Sequence, residues 1–69
     1  MEREPVNSTS VASVGYDKSS ETLEVEFRNE SVYRYFGVPE QIYKELLTTS
    51  SLGRFINYRI KPYFPYEQN

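Results

Sequence analysis

The sequence has no cysteine, no histidine and no tryptophan. Without cysteine there can be no disulfide, and without histidine as well there can be no thiolate or imidazole metal site and no Cys or His nucleophile or base. A single domain of 69 residues gains only about 3–5 kcal/mol from its core. Another source of stability is therefore needed.

Long apolar runs and glycine-rich loops are also missing. The charged start of the chain, with no apolar stretch behind it, predicts neither a signal peptide nor a membrane span, so we expect a cytoplasmic location. Glu24 and Glu26 share one face of a predicted strand, where carboxylates usually keep a sheet exterior soluble and rarely act as a catalytic pair. We therefore expect no enzyme, no cofactor and no metal.

Aromatic side chains are abundant, with seven tyrosines and four phenylalanines making 16% of the residues. Each buries roughly 150–250 Å², so they can supply the core that disulfides would otherwise support. We assign to the core Tyr16, Phe27, Tyr33, Tyr35 and Phe55. We leave at the surface Tyr58, Tyr63 and Tyr66.

The formal charge of −2 hides a gradient along the chain. Residues 1–32 carry three basic and seven acidic side chains, whereas residues 33–69 carry five basic and three acidic ones. An acidic average argues against nonspecific nucleic-acid binding. The C-terminal half is the part of the chain that could face a polyanion.

Three segments show the period of two that is typical of strands, namely residues 10–16, 22–28 and 31–36. Leu23, Val25 and Phe27 share one face of the second strand, and we expect Tyr33 and Tyr35 to pack against them. Residues 1–9 are predicted to be a flexible arm, and residues 10–69 a single domain.

Two helices are predicted after the strands. Pro39 and Glu40 mark the start of the first, over residues 39–48, and Pro62 limits the second, over residues 52–60. The aromatic tail at 61–66 is too apolar for a linker and should lie against the domain. The fold class is thus α+β, a three-stranded antiparallel β-meander followed by two short helices, in the order β-β-β-α-α.

The pair Tyr33 and Tyr35 is the first candidate for function. Adjacent aromatic rings on a sheet can stack on unpaired bases, with Arg34 nearby for phosphate. The alternative, which we favour, is that both rings fill the core.

A basic, hydrogen-bonding edge on the second helix is the other candidate. The predicted RNA-binding set is therefore Arg34, Arg54, Asn57, Arg59 and Lys61. The alternative is an ordinary solvated helix surface whose cations complement the helix dipole.

The chain resembles the KTSC domain family, whose members occur at the C-terminus of some lysyl-tRNA synthetases and alone in bacterial and phage proteins. The resemblance covers residues 10–66. It rests on four segments, SVGYD at 13–17, LEVEF at 23–27, VYRYFGVP at 32–39 and SLGRFIN at 51–57, together with Ile60 and Tyr63. Tyr33 and Tyr35 form the central YxY motif, while Glu30 and Ser31 stand where the family commonly has glycine.

The resemblance implies a stand-alone bacterial or phage KTSC protein and assigns no activity. The synthetase context and the aromatic motif suggest a non-catalytic module that binds RNA, either tRNA or a single strand. The competing hypothesis is a protein-interaction or structural module that docks a protein or a second copy through Tyr63, Phe64 and Tyr66. We expect neither a membrane nor a metal among its partners.

Overall fold

A computed structural model describes residues 2–69. They contain one antiparallel sheet of five strands, which lie side by side in sequence order. The strands are Glu4–Pro5 (β1), Val11–Asp17 (β2), Thr22–Phe27 (β3), Val32–Tyr35 (β4) and Tyr66–Gln68 (β5). Between β4 and β5 lie helix α1 (Glu40–Thr48), helix α2 (Leu52–Phe55) and a π-helical turn (Ile56–Ile60).

The α+β class was predicted, but the three-stranded meander is wrong because the sheet has two further strands. β1 pairs with β2, and β5 returns after the helices to pair with β4. Strands of two and three residues are too short to show a period of two, and each lies at or beside a proline. β1 falls within the predicted arm at 1–9, of which Met1 lies outside the described residues.

A β-bulge between Val11 and Ser13 changes which residues of β2 face the core. Simple alternation places Val11 and Val14 on opposite faces. The extra residue brings both onto the same face, where both are fully buried. Simple alternation therefore assigns the wrong face to Val11, before the bulge, and the correct face to Val14, after it.

The register of β3 and β4 is as predicted. Leu23 lies opposite Tyr35 and Val25 opposite Tyr33. The helices cover this face of the sheet. Their buried side chains complete the core around the strands: Leu46, Phe55, Ile56 and Ile60.

The first helix begins at Glu40, with Pro39 as its N-cap, close to the predicted start. The second follows its predicted range of 52–60 but changes type at Ile56, where the amide of Lys61 bonds to the carbonyl of Ile56 at 2.8 Å. Across residues 2–69, no helix combines the length and the apolar character needed to cross a membrane.

The turn from β3 to β4 uses three residues, Arg28 to Glu30. It is closed by a 2.8 Å hydrogen bond from the amide of Phe27 to the carbonyl of Ser31. Glu30 adopts the left-handed conformation, with φ of 72°. This is the position at which hairpins of this length prefer glycine.

Candidate functional site

Tyr33 and Tyr35 lie on the helix-covered face of the sheet, but they differ in exposure. Tyr35 is 1% exposed, whereas Tyr33 is half-buried at the margin of the core. The ring of Tyr66, on β5, packs 5.6 Å from that of Tyr33 and 5.5 Å from that of Tyr35. The β5 strand thus covers the pair, and Tyr33 alone of the two keeps substantial contact with solvent.

The hydroxyl of Tyr35 makes no hydrogen bond to another residue among residues 2–69, but its oxygen reaches solvent, because no solvent-inaccessible polar side-chain atom there lacks a partner. Burial raises the pKa of Tyr35 to about 12, with smaller contributions from Tyr33 and Tyr66. The phenol therefore remains protonated and is a hydrogen-bond donor at neutral pH.

Tyr35 also lines a cavity of ≈ 420 Å³, which we call the tyrosine pocket. Its volume lies within the range of about 300–1,000 Å³ typical of ligand sites. Three aromatic rings on the sheet contribute to its lining, and polar side chains from two loops and the π-helical turn contribute the rest. The lining residues are Thr9, Ser10, Phe27, Arg28, Asn29, Ser31, Tyr33, Tyr35, Asn57 and Lys61.

A second cavity of ≈ 540 Å³ lies beside the first, and we call it the hydroxyl pocket. Serine and threonine side chains from the segment before β2 and from the connection between α1 and α2 dominate it. Its lining residues are Asn7, Ser8, Thr9, Ser10, Thr49, Ser50, Ser51, Leu52, Gly53, Arg54 and Asn57. Thr9, Ser10 and Asn57 line both pockets, so the two are adjacent.

Three of the five predicted site residues meet at these pockets. Arg54 lines the hydroxyl pocket, Lys61 lines the tyrosine pocket, and Asn57 stands between them. The π-helical turn places Asn57 and Lys61 on the same side of the chain as Arg54. Such turns are often found at functional sites.

Arg34 lies on the other face of the sheet. Its Nε donates a 2.8 Å hydrogen bond to Oε2 of Glu24, and Arg3 donates one of equal length to Oε1. Burial opposes ionisation of Glu24, but the hydrogen bond from Arg34 and the charges of both arginines outweigh it and hold the pKa of Glu24 below its usual value. Arg34 thus neutralises a buried carboxylate.

Arg59 points away from the pockets as well. Its guanidinium contacts Oε1 of Glu45 at 3.3 Å and lies 5.3 Å from the centre of the Phe55 ring. These contacts hold the π-helical turn against α1. Arg59 and Arg34 are therefore separated from Arg54, Asn57 and Lys61.

Arg54 and Lys61 make no ion pair with any carboxylate in the part of the chain that the structure describes. Sequence reasoning missed a third cation at this face, Arg28, whose Nε donates a 2.8 Å bond to the carbonyl of Ser8. Periodicity gives no signal for Arg28, because the turn after β3 alone decides where it points. The same holds for Thr9 and Ser10.

The carboxylate pair on β3 is occupied by structural contacts. Glu24 is held by the two arginines, and Glu26 accepts a 2.9 Å hydrogen bond from the hydroxyl of Ser13. No group of three or more potential metal ligands exists within residues 2–69.

The exposed aromatics lie near the C-terminal end. Tyr58 and Tyr63 are 71% and 72% exposed, and Tyr66 is 44% exposed. Phe64 is half-buried and packs against the core. The predicted docking set is thus split, since Phe64 supports the fold while Tyr63 and Tyr66 reach solvent.

Comparison with known proteins relates this chain to several others. It is 44% identical to an uncharacterized protein of Stutzerimonas stutzeri over 90% of this chain and 87% of the relative. It is 42% identical to a lysine–tRNA ligase of Trichormus variabilis over 77% of this chain, a match that spans only 9% of the ligase.

The fold has a close counterpart among solved structures. The crystal structure of a KTSC domain protein from Yersinia pestis superposes with a TM-score of 0.94, at 37% identity, over 99% of this chain and 96% of the other. The family model for the KTSC domain matches residues 7–64. The chain therefore belongs to the KTSC domain family.

Proposed function

We propose that this protein is a non-catalytic RNA-binding module, and that RNA contacts the face formed by the tyrosine pocket and the hydroxyl pocket. One observation carries the proposal: Arg54 and Lys61, without carboxylate partners in residues 2–69, flank Asn57 along two adjacent cavities. Cations that are free of ion pairs are available for phosphate.

The chemistry of the face suits a sugar-phosphate chain. Hydroxyl and amide side chains supply a large share of contacts to phosphate and sugar in nucleic-acid complexes, beside arginine and lysine. The hydroxyl pocket concentrates such groups around Arg54, and Arg28 adds a cation beside the tyrosine pocket. The face thus combines local positive charge with many hydrogen-bonding groups on a protein of net charge −2.

The similarity to part of a lysine–tRNA ligase supports RNA as the polyanion to test first. A domain fused to an enzyme that acts on tRNA lies where RNA is present. This association favours tRNA over DNA as the initial probe.

The test is a titration of tRNA and of mixed RNA oligonucleotides at low salt, followed by fluorescence anisotropy. We expect binding that weakens with salt, and we expect the double substitution Arg54→Glu with Lys61→Glu to abolish it. In either single variant, the loss of one cation from a phosphate contact should reduce the slope of log K against log salt by about 1.

Lys44→Glu is the matched control, because Lys44 is exposed on α1 and lines neither pocket. It makes the same change in charge and should leave most of the affinity intact. Absence of binding to every RNA, or equal losses in the control and the double variant, would refute the proposed interface.

The free edge of β5 favours a second candidate function, association with another protein or a second copy. Among the residues that the structure describes, this strand pairs only with β4, and Tyr63 and Tyr66 are exposed on or beside it. Exposed strand edges and aromatic side chains both favour association. Light scattering tests it directly: a dimer that Tyr63→Ser with Tyr66→Ser dissociates supports this function, and a monomer at high concentration contradicts self-association.

A further inference from the structure

We propose that the tyrosine pocket receives one unpaired nucleobase of the RNA, which donates or accepts hydrogen bonds with Tyr35 and Asn57 and lies against Tyr33. This inference rests on the proposed function and narrows it to RNA with single-stranded nucleotides. It begins from a polar atom that the fold leaves without a partner.

The Tyr35 hydroxyl is that atom. The side chain is 1% exposed overall and lines the tyrosine pocket, and no hydrogen bond joins its hydroxyl to another residue within residues 2–69. Since no solvent-inaccessible side-chain nitrogen or oxygen in those residues lacks a partner, the hydroxyl oxygen reaches the solvent of the pocket. It can therefore exchange water for a hydrogen bond to a ligand there, a contact that phenylalanine could not make.

Asn57 supplies the complementary chemistry. Its amide offers both a donor and an acceptor, and it stands at the junction of the two pockets. The edge of a nucleobase also presents donors and acceptors side by side. An amide and a phenol in one cavity can therefore recognise a base edge, whereas a lone phosphate would need only cations and N–H groups.

Part of the Tyr33 ring is available for the face of the base. Tyr33 is half-buried, since its ring stacks on that of Tyr66 at 5.6 Å and meets Phe27 edge to face at 5.4 Å. Both rings line the tyrosine pocket. Stacking of a base on an aromatic side chain contributes about 1–3 kcal/mol.

The charges are placed for the phosphates on either side of this base. Lys61 and Arg28 line the tyrosine pocket itself, and Arg54 lies in the adjoining hydroxyl pocket. A base inserted beside Asn57 would thus have cations near the nucleotide backbone on both sides. Paired bases are stacked within a helix and cannot enter a concave site, so this arrangement selects unpaired nucleotides.

The experiment compares Tyr35→Phe with the wild-type protein. Affinity is measured for a short single-stranded RNA and for the same strand annealed to its complement. Separately, an NMR titration with each nucleoside monophosphate follows the ring signals of Tyr33 and Tyr35 and the side-chain amide of Asn57. Tyr35→Phe removes one oxygen and preserves the core, so folding is checked simply by its melting temperature.

We expect Tyr35→Phe to weaken single-strand binding about threefold to tenfold, and Asn57→Ala to weaken it at least as much. Annealing the strand should lower its affinity further. The monophosphates should shift the signals of Tyr33, Tyr35 and Asn57. Tyr63→Phe is the matched control, because Tyr63 is 72% exposed and lies outside the pocket.

The outcomes separate this inference from the proposed function. If RNA binds and charge reversal at Arg54 and Lys61 abolishes it, but Tyr35→Phe and the duplex bind like the wild-type protein and the single strand, then the base pocket is wrong and the RNA-binding function stands. If no RNA binds and no monophosphate shifts these signals, both proposals fail.

Discussion

Nε of Arg34 donates a 2.8 Å hydrogen bond to Oε2 of Glu24, the residue directly opposite it in the β3–β4 pair. Arg3 approaches the same carboxylate from the N-terminal segment. The side chain of Glu24 is 7% exposed, while those of Arg3 and Arg34 are 30% and 40% exposed. If the Glu24 carboxylate were removed, water could therefore hydrate both arginines in place. If the arginines were removed, water could reach the carboxylate only after a large rearrangement.

We expect this asymmetry to appear in mutant stabilities. Replacing both cations, Arg3→Met with Arg34→Met, leaves the buried charge of Glu24 without a partner. This double substitution should cost about 3–5 kcal/mol of stability. Glu24→Gln leaves only exposed cations and should cost less, about 1–3 kcal/mol. Urea unfolding measures both, with Lys18→Met as the control, since its exposed pair with Glu40 should contribute about 0–1 kcal/mol. Equal losses for Glu24→Gln and the double variant would contradict this account.

Tyr35 should make the protein sensitive to alkali. Its pKa rises from 10.0 in the unfolded chain to about 12 in the fold, chiefly through burial. The contribution of protonated Tyr35 to the free energy of unfolding is therefore fully present below pH 10. It is lost as the pH rises through 12, because Tyr35 ionises first in the unfolded state. Urea midpoints measured from about pH 9 to about pH 12 should fall less steeply for Tyr35→Phe than for wild type. The pKa values of Tyr16 and Tyr43 are also raised by burial, so some dependence should persist.

Truncation of the two core aromatics should give unequal losses. Tyr35→Ala removes a fully buried ring and should cost about 3–5 kcal/mol. Phe27→Ala should cost less, because part of the Phe27 ring stays in contact with solvent in the folded protein. Thermal melting compares the two, and a Phe27 variant less stable than the Tyr35 variant would refute the assigned burial.

Two glycines should respond differently to alanine. A Cβ on Gly15 would meet the backbone carbonyl oxygen of Glu2 at 2.5 Å, so the N-terminal segment must move. We expect Gly15→Ala to cost about 1–3 kcal/mol of stability. We also expect it to break the ion pair between Arg3 and Glu24. A Cβ on Gly53 would meet the hydroxyl oxygen of Ser10 at 2.8 Å, which can rotate away, and the Cβ of Ser10 at an ordinary contact distance of 3.9 Å. Gly53→Ala should thus change the melting temperature little, and a loss as large as that of Gly15→Ala would show that Ser10 is fixed.

Glu30→Gly should stabilise the protein. Glu30 has a φ of 72°, a conformation that costs a side-chain-bearing residue about 1–2 kcal/mol. Glycine relieves this cost but is more flexible when unfolded, so we expect a net gain of up to about 1 kcal/mol. Gln41→Gly, within α1, has no strain to relieve and should destabilise by about 0.5–1 kcal/mol. Chemical denaturation of both variants tests the difference in sign.

The sequence alone was sufficient for the elements whose pattern is local. Alternation located three strands and placed Tyr33 and Tyr35 on the same face as Leu23, Val25 and Phe27. Proline placed the start of α1 within one residue. Four short segments taken together, one of them containing Tyr33 and Tyr35, were sufficient to identify the family, which the family model over residues 7–64 confirms. Each of these signals lies within a few consecutive residues, where backbone geometry fixes the spacing of side chains.

Only the tertiary structure decided the two edge strands and the composition of the site. β1 and β5 are too short to carry a pattern and form because β2 and β4 offer unpaired backbone groups. Arg34 and Arg54 look alike in the sequence, yet one faces a buried carboxylate across the sheet and the other faces a polar pocket. That difference depends on contacts between residues far apart in the chain, such as Glu24 with Arg3 and Ser10 with Gly53, and no local pattern records them.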